Sequence, residues 1–523
     1  MAIKASAPDG PHGKTPAAAA DDPPPKRAND SQLVVRTSVR SQTGLWFLLG
    51  ASVLLFGWSS AKISGFAAAP TIDTFAVSFS ALLWVIVYLT STYAVFGTVY
   101  LLATAYILPL LVFHFGTIAQ DGFGLIKVGG YVGDFGNWIT LAGWYVNLAL
   151  ACIGVAFAAA CLLFRPPPPL PRQAASKLAA NNLDRLRNLA IGMCFACAAF
   201  LVIGIAQVGN ILSYDRFSLF FGGMDIRGVA LFNWVAPSTA VALVISAQSR
   251  RQKQWSYLVG LLMLIIFLFS GNRSMLFFPL LIGVVLWVKT GRRVPTLAAG
   301  GLVVLTLLVI PVLGALRMQG TYDTLTLDKI DESSTGSSIS GALRELGGSA
   351  GVLGITLQYI PAEEPYRMGS SYLNDLRNAI PNIGASLDAS NDPRQILRQS
   401  GSLSEGLLRL SPARWASVKV YGVQYALYGN QGVGFSAVAE PYFNFGYLGV
   451  VGFFLAVGFG LARMECPNLL LDFGWLTFTS LFYWLFIMTV RNDLGDFTKP
   501  ASFILISLGI WVVVRRFTPF ARP

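Results

Sequence analysis

The sequence predicts an all-α polytopic membrane protein with about twelve transmembrane helices and one large periplasmic loop. Three observations predict it. The chain is 54% hydrophobic and only 12% charged over 523 residues, more apolar surface than a soluble core of this size hides. Eleven to twelve apolar runs approach the roughly 20 residues that cross a hydrocarbon core of ~30 Å. One polar stretch, from Arg317 to Glu440, interrupts them. Backbone groups in lipid must be satisfied within the segment, so repeated runs of this length mean helices; the short alternating segments of a membrane barrel are absent from the pattern.

The elements follow in order. Residues 1–44 are rich in Ala, Pro, Asp and Lys without apolar periodicity and read as a disordered cytoplasmic tail. No apolar segment lies near Met1, so the first span is expected to act as an uncleaved anchor. Spans are expected at 45–65, 76–98, 99–118, 136–164, 187–208, 228–248, 255–271, 274–290 and 294–316, which make up a bundle over 45–316. The second and third form either a tight hairpin near Gly97 or one broken helix. The large loop covers 317–440, and the region 441–523 holds spans at 441–463, 473–490 and 500–517 with a short cytoplasmic C-terminus.

Charge sets the orientation. The net charge of +12 raises nucleic acid as a partner, but the excess lies in short loops beside spans, where the positive-inside rule explains it. Arg165, Arg172, Lys177, Arg185 and Arg187 sit in one loop, Arg250, Arg251 and Lys253 in the next on that side, then Lys289, Arg292 and Arg293, and finally Arg515, Arg516 and Arg522. With twelve spans all of these fall on one side with both termini. That side is expected to be cytoplasmic, with loop 317–440 opposite, in the periplasm, and no nucleic-acid partner.

The same pass narrows the chemistry. Of five cysteines none lies in the large loop, and the C-x-x-C pair Cys194 and Cys197 sits inside an apolar run, where it reads as helix filler. The two histidines are His12 in the tail and His114 in an apolar run, so the large loop has no histidine base. Loop acids such as Asp323, Asp328, Asp331, Glu363, Glu364, Asp375 and Glu405 lack D-x-D-x-D-G spacing, so no bound metal and no cofactor are expected.

Candidate residues cluster at the outer ends of spans. Arg216 and Arg227 precede the sixth span, Arg273 occupies the turn Ser270–Ser274, Arg317 ends the ninth span, and Arg491 opens Arg491–Asp496. A charge this close to lipid is costly unless paired or functional, and guanidinium suits phosphate because it is permanently charged and bidentate. The bland alternative is snorkelling or pairing with Asp215, Asp225, Asp493 and Asp496. Before the tenth span, Gly432 and Gly434 permit a turn that offers bare N–H groups to an anion, next to Ser436. Glu440 precedes Pro441 in a helix first turn, where it either caps the helix or acts as a general base. Loop aromatics including Tyr359, Tyr366, Tyr372 and Trp415 suit sugar stacking or a small core equally.

Three passages carry a resemblance: Pro365–Leu373 followed by Ala379–Asn382; Ser270–Ser274; and Gly432–Gly449, which contains Glu440, Tyr442 and Asn444. Together they resemble oligosaccharide repeat-unit polymerases of the Wzy type, the O-antigen polymerases, over roughly residues 200 to 500. The resemblance implies a GT-C-like bundle in the bacterial inner membrane and a metal-independent glycosyltransferase-type polymerase of polysaccharide biosynthesis. The donor would be a glycan on undecaprenyl pyrophosphate and the acceptor one undecaprenyl-linked repeat unit, with undecaprenyl pyrophosphate released at the periplasmic face. Membrane lipids, a flippase and a chain-length regulator would be the other partners. Catalysis would fall to Glu440, Arg273 and Arg491. Pyrophosphate and glycan would be held by Arg216, Arg227, Arg317, Arg367, Tyr372, Gly432, Gly434, Ser436, Tyr442, Asn444 and Asp493.

Two alternatives stay open at this point. Related O-antigen ligases are thought to use a loop histidine, which this chain lacks. A lipid-linked oligosaccharide transporter or flippase should show mid-span polar residues and broken helices, whereas ionisable residues here gather at span ends.

Overall fold

The computed structural model describes residues 42–68, 72–125, 136–164, 172–208, 227–269, 273–292, 347–379, 410–428, 434–465 and 469–517, with the single positions 70 and 294 and the pair 406–407. The tail, nearly all of the ninth expected span, and residues 317–346, 380–405, 408–409 and 429–433 of the large loop lie outside the described residues. The described part is all helical. Eight helices are long and apolar enough to cross a membrane, and Ser274–Lys289 forms a shorter apolar one.

The helices before the large loop are α1 (Thr43–Phe66), α2 (Thr74–Phe96), α3 (Leu102–Gly122), α4 (Gly136–Leu163), α5 (Arg172–Val208), α6 (Arg227–Ser246), α7 (Arg250–Phe269) and α8 (Arg273–Lys289); α1 to α6 are among the eight, and the other two follow the loop. The loop contributes α9 (Ser349–Tyr359), α10 (Ser370–Asn378) and α11 (Pro412–Tyr428). After it come α12 (Ala439–Glu465), the short α13 (Phe473–Leu481) and α14 (Tyr483–Met488), and α15 (Gly495–Phe517). Helix α4 is central to one half, packed by α1, α2, α3, α9 and α12; α6 is central to the other, packed by α5, α7, α8, α13 and α15.

The second and third expected spans are separate helices. Gly97 ends α2 in the left-handed region (φ 68°), its N–H donating to Tyr93 O at 2.8 Å, a conformation that glycine adopts without a Cβ penalty. Helix α3 starts where the Glu465 carboxylate accepts the Leu102 N–H. Helix α5 begins fifteen residues before its expected span. Its 37 residues extend about 55 Å, well beyond the hydrocarbon core. The reason is a stripe at helical spacing, Ala175, Ala179, Leu183, Leu186 and Ala190, all buried, which extends the helix through the basic stretch.

Two expected spans are interrupted. The eleventh divides at Phe482 into α13 and α14. The carbonyl beside the break, Leu481 O, accepts the Ser238 hydroxyl (2.6 Å), and Ser238 Oγ in turn accepts the Trp484 indole N–H (2.7 Å). Such side-chain satisfaction is what makes a break tolerable at membrane depth. The tenth is interrupted at Gly446 (φ 63°, ψ −146°). There a Cβ would stand 2.8 Å from the Tyr366 hydroxyl, so the position requires glycine.

Candidate active site

The large loop meets the membrane bundle where α10, the start of α12 and the turn Arg491–Gly495 converge. Each piece is fixed by main-chain hydrogen bonds. Phe435 N–H donates to Arg491 O (2.8 Å) and Ala437 N–H to Val490 O (3.3 Å), so the entry to α12 runs alongside the exit of α14. Gly434 (φ +69°) makes the approach possible, since a Cβ there would lie 2.9 Å from Arg491 O. On the other side, Arg367 N–H donates to Phe443 O and Met368 N–H to Asn444 O, both at 3.0 Å. These carbonyls lie just before the Gly446 interruption, and the loop takes them up.

Asn444 is fully buried and ties three segments. Its Nδ2 donates to Ser371 Oγ (2.7 Å) and to Glu440 O (2.9 Å), and its Oδ1 accepts the Gly369 N–H (3.1 Å). Helix α10 is thereby seated against α12. Ser371 and Asp375, four residues apart, share the buried face of α10, while Leu373 and Leu376 on the other face are exposed. The same helix packs on α15.

This seating gathers acids. Glu440 is 4% exposed, Asp375 3% and Asp493 7%; the neighbouring Asp496 is exposed. Glu440 Oε2 accepts the Leu494 N–H (2.9 Å), and its Oε1 lies 3.4 Å from the Ser371 hydroxyl that can donate to it. Asp493 Oδ2 accepts the Ala413 N–H (3.4 Å). Asp375 and Asp493 both close on Gly495, where an added Cβ would lie 2.9 Å from Asp375 Oδ1 and 3.2 Å from Asp493 Oδ1. Burial, then the charge of Asp493, pushes the Asp375 carboxyl up to about 8, against the milder effect of the adjacent Glu440 side chain. Asp493 is also raised, chiefly by burial. Burial followed by the charge of Glu440 raises the Tyr372 phenol above its ordinary value, so it stays protonated. Asp375 Oδ2 has no hydrogen-bond partner among the described residues. Three carboxyls in one buried site cannot all be ionised, so the cluster holds at least one exchangeable proton at neutral pH and can give or take it.

The residues expected from sequence fall into distinct places. Glu440, Asn444, Asp493 and Tyr372 come together here. Capping of α12 falls not to Glu440 but to Ser436, whose Oγ accepts the Val438 and Ala439 N–H groups at 3.1 and 3.2 Å. Tyr442 packs edge-on against Tyr145 and Tyr366, and its hydroxyl donates to Ile360 O. Arg367 sits in a buried network: its guanidinium lies 4.8 Å over the Phe443 ring and donates to Leu407 O (2.9 Å), with Glu364 at 3.8 Å. Glu364 also takes Lys419 (2.8 Å) and the Trp415 indole N–H (2.9 Å). Burial pulls Arg367 down to about 10, with Glu364 opposing, so it remains charged at neutral pH.

Arg491 lies at the site, its guanidinium 5.5 Å over the Phe113 ring. Arg227 and Arg273 are the first residues of α6 and α8; their side chains, like Arg216, Arg317 and Gly432, lie outside the described residues. Asp375, Ser371 and His114 were not picked out as site residues from the sequence. No local pattern marks the first two: Ser370–Asn378 is a largely polar helix, and it is its leucines, not Ser371 and Asp375, that stay exposed.

A family model described as O-antigen polysaccharide polymerase Wzy matches residues 54–519. No curated protein and no solved structure matches the chain.

Proposed function

Because the chain belongs to the O-antigen polysaccharide polymerase Wzy family, membrane enzymes that polymerise O-antigen repeat units, we propose that the Glu440–Asp375–Asp493 cluster is the proton-handling centre of that polymerisation. In this reading a hydroxyl oxygen of the acceptor repeat unit bonds to the anomeric carbon of the donor glycan. The bond from that carbon to the lipid pyrophosphate breaks, and undecaprenyl pyrophosphate leaves with the electron pair. The hydroxyl proton passes to Glu440, with Asp375 sharing it. The reaction takes place on the periplasmic face, at the outer end of α12, and needs no metal ion: the acids serve as proton carriers rather than as a metal-ligand set.

The observation that carries the reading is Glu440 itself. It is buried at the junction of loop and bundle, oriented by Leu494 N–H and Ser371, beside a carboxyl that holds its proton to about pH 8. Positioned acid–base groups of this kind contribute about 10²–10⁴-fold to rate. Arg216, Arg227, Arg273, Arg317 and Arg491 are assigned in the same reading to the diphosphate, whose developing charge preorganised cations stabilise. Partner proteins such as a chain-length regulator or flippase would act at other surfaces.

The test is glycan length in cells. Glu440→Gln preserves shape and removes the base, so it should reduce the ladder of long chains to single repeat units while the protein still reaches the membrane. A normal ladder from a membrane-inserted Glu440→Gln protein would remove the proposal.

A further inference from the structure

We propose that His114, in the middle of α3, is a positioning residue for Glu440 and acts through Ser436; the inference rests on the reading of Glu440 just given. His114 is fully buried, and so is Ser436. The His114 Nε2 lies 2.7 Å from Ser436 Oγ and Nδ1 lies 2.9 Å from Leu110 O. A carbonyl oxygen only accepts, so Nδ1 carries the ring proton and donates it to Leu110 O. The Nε2 lone pair then accepts the Ser436 hydroxyl. That leaves the lone pairs of Ser436 Oγ for the Val438 and Ala439 N–H groups that it caps. Every donor in this chain has one acceptor, and the direction of every bond follows from the carbonyl at its far end.

The chain leads to the acid. Ser436 O accepts the Glu440 N–H at 2.9 Å, so the turn held by His114 is the first turn beneath the Glu440 side chain. The residue before Ser436, Phe435, is bonded to Arg491 O, and the Arg491 guanidinium lies over Phe113, the neighbour of His114. One stretch of α3 therefore supports both the entry to α12 and the exit of α14 that runs beside it. His114 has no exposed surface, so it does not meet substrate; its effect is on where Glu440 stands. A displacement of about 1 Å at a reacting group can reduce rate by ~10²-fold, and a serine whose hydroxyl proton has lost its acceptor is free to rotate and release the cap.

This role separates from simple packing. Leucine fills space without an acceptor. Glutamine reaches with an amide oxygen near the place of Nε2 and can still accept the Ser436 hydroxyl. With purified protein and a lipid-linked repeat unit, His114→Leu should lower kcat by about 10–100-fold with KM changed less than ~3-fold, and His114→Gln should recover most of that loss. Ser436→Ala should fall as far as His114→Leu, and the double variant no further, because the two act as one unit. If His114→Leu does not insert, His114→Gln and Ser436→Ala decide the matter. A His114→Gln protein as impaired as a folded His114→Leu protein, losses that add in the double variant, or an unchanged kcat in His114→Leu or Ser436→Ala would each overturn the positioning role. Glu440→Gln run alongside separates the two claims: a dead Glu440→Gln with a normal His114→Leu sinks only the positioning role, whereas an active Glu440→Gln sinks the assignment on which it rests.

Discussion

Glu440 shows how much depends on where an oxygen is held. A glutamate in a helix first turn ordinarily serves the helix dipole. Here Ser436 occupies the capping position, and the Glu440 carboxylate turns to Leu494 N–H and Ser371. Asp375 gives the residue scale its pH prediction. Its folded-state value is raised from the ordinary aspartate range to about 8 by burial and the charge of Asp493, so the folded protein keeps a proton that the unfolded chain has released. The stability this lends is full below about pH 4 and is lost as pH rises through about 8. Asp375→Asn should therefore flatten the fall of the thermal midpoint between about pH 4 and 8 by one proton's worth, at most ~1.4 kcal/mol per pH unit. A slope identical to wild type would contradict it. Glu440, Asn444 and Asp493 were legible because they lie in two short distinctive passages at span ends. Asp375 was not, since nothing local distinguishes it from the other loop acids; its significance comes from α10 docking, through Ser371, on a glutamate 69 residues away.

At the scale of elements, the site is built on interruptions. Gly446 breaks α12 so that the segment Tyr366–Gly369 can lie against it, and Gly434 lets the entry to α12 close on Arg491. Gly446→Ala adds a Cβ 2.8 Å from the Tyr366 hydroxyl at φ 63°. The backbone strain alone is about 1–3 kcal/mol, so the variant should show a lowered thermal midpoint in detergent and a loss of chain polymerisation; wild-type values for both would contradict the account. At the opposite end of the bundle, the Lys289 ammonium meets Glu465 at 2.5 Å, and Glu465 also receives the N-terminus of α3. Lys289→Met leaves a buried carboxylate without its cation, which costs about 3–5 kcal/mol. Adding Glu465→Gln should restore part of the lost thermal midpoint, and no recovery would refute the pairing. The broken eleventh span was not legible in the sequence, because 473–490 reads as one apolar run; the break is licensed by Ser238 and Trp484, whose pairing is purely tertiary. Broken helices and a buried mid-span histidine are features expected of a transporter, yet they occur here in a chain of the O-antigen polymerase family.

For the whole molecule, the membrane bundle was legible from apolar run length alone, and most described helices start within a few residues of their expected spans. What remains a proposal is the sidedness, and it can be measured. Ala362 and Ser249 are exposed, one in the loop before α10 and one between α6 and α7. Ala362→Cys should react with a membrane-impermeant maleimide from the periplasmic side, and Ser249→Cys only after the inner membrane is permeabilised. The reverse pattern would place the acid cluster in the cytoplasm, away from flipped repeat units.

The central claim is that a buried glutamate moves the proton of glycan transfer, and purified enzyme tests it most directly. The rate of joining two lipid-linked repeat units should be compared for wild type and Glu440→Gln in the same detergent, with folding of each checked by its thermal midpoint. The account predicts a folded Glu440→Gln protein that joins units at least about 100-fold more slowly. A folded variant within a few-fold of the wild-type rate would place the proton elsewhere and leave the acid cluster as architecture alone.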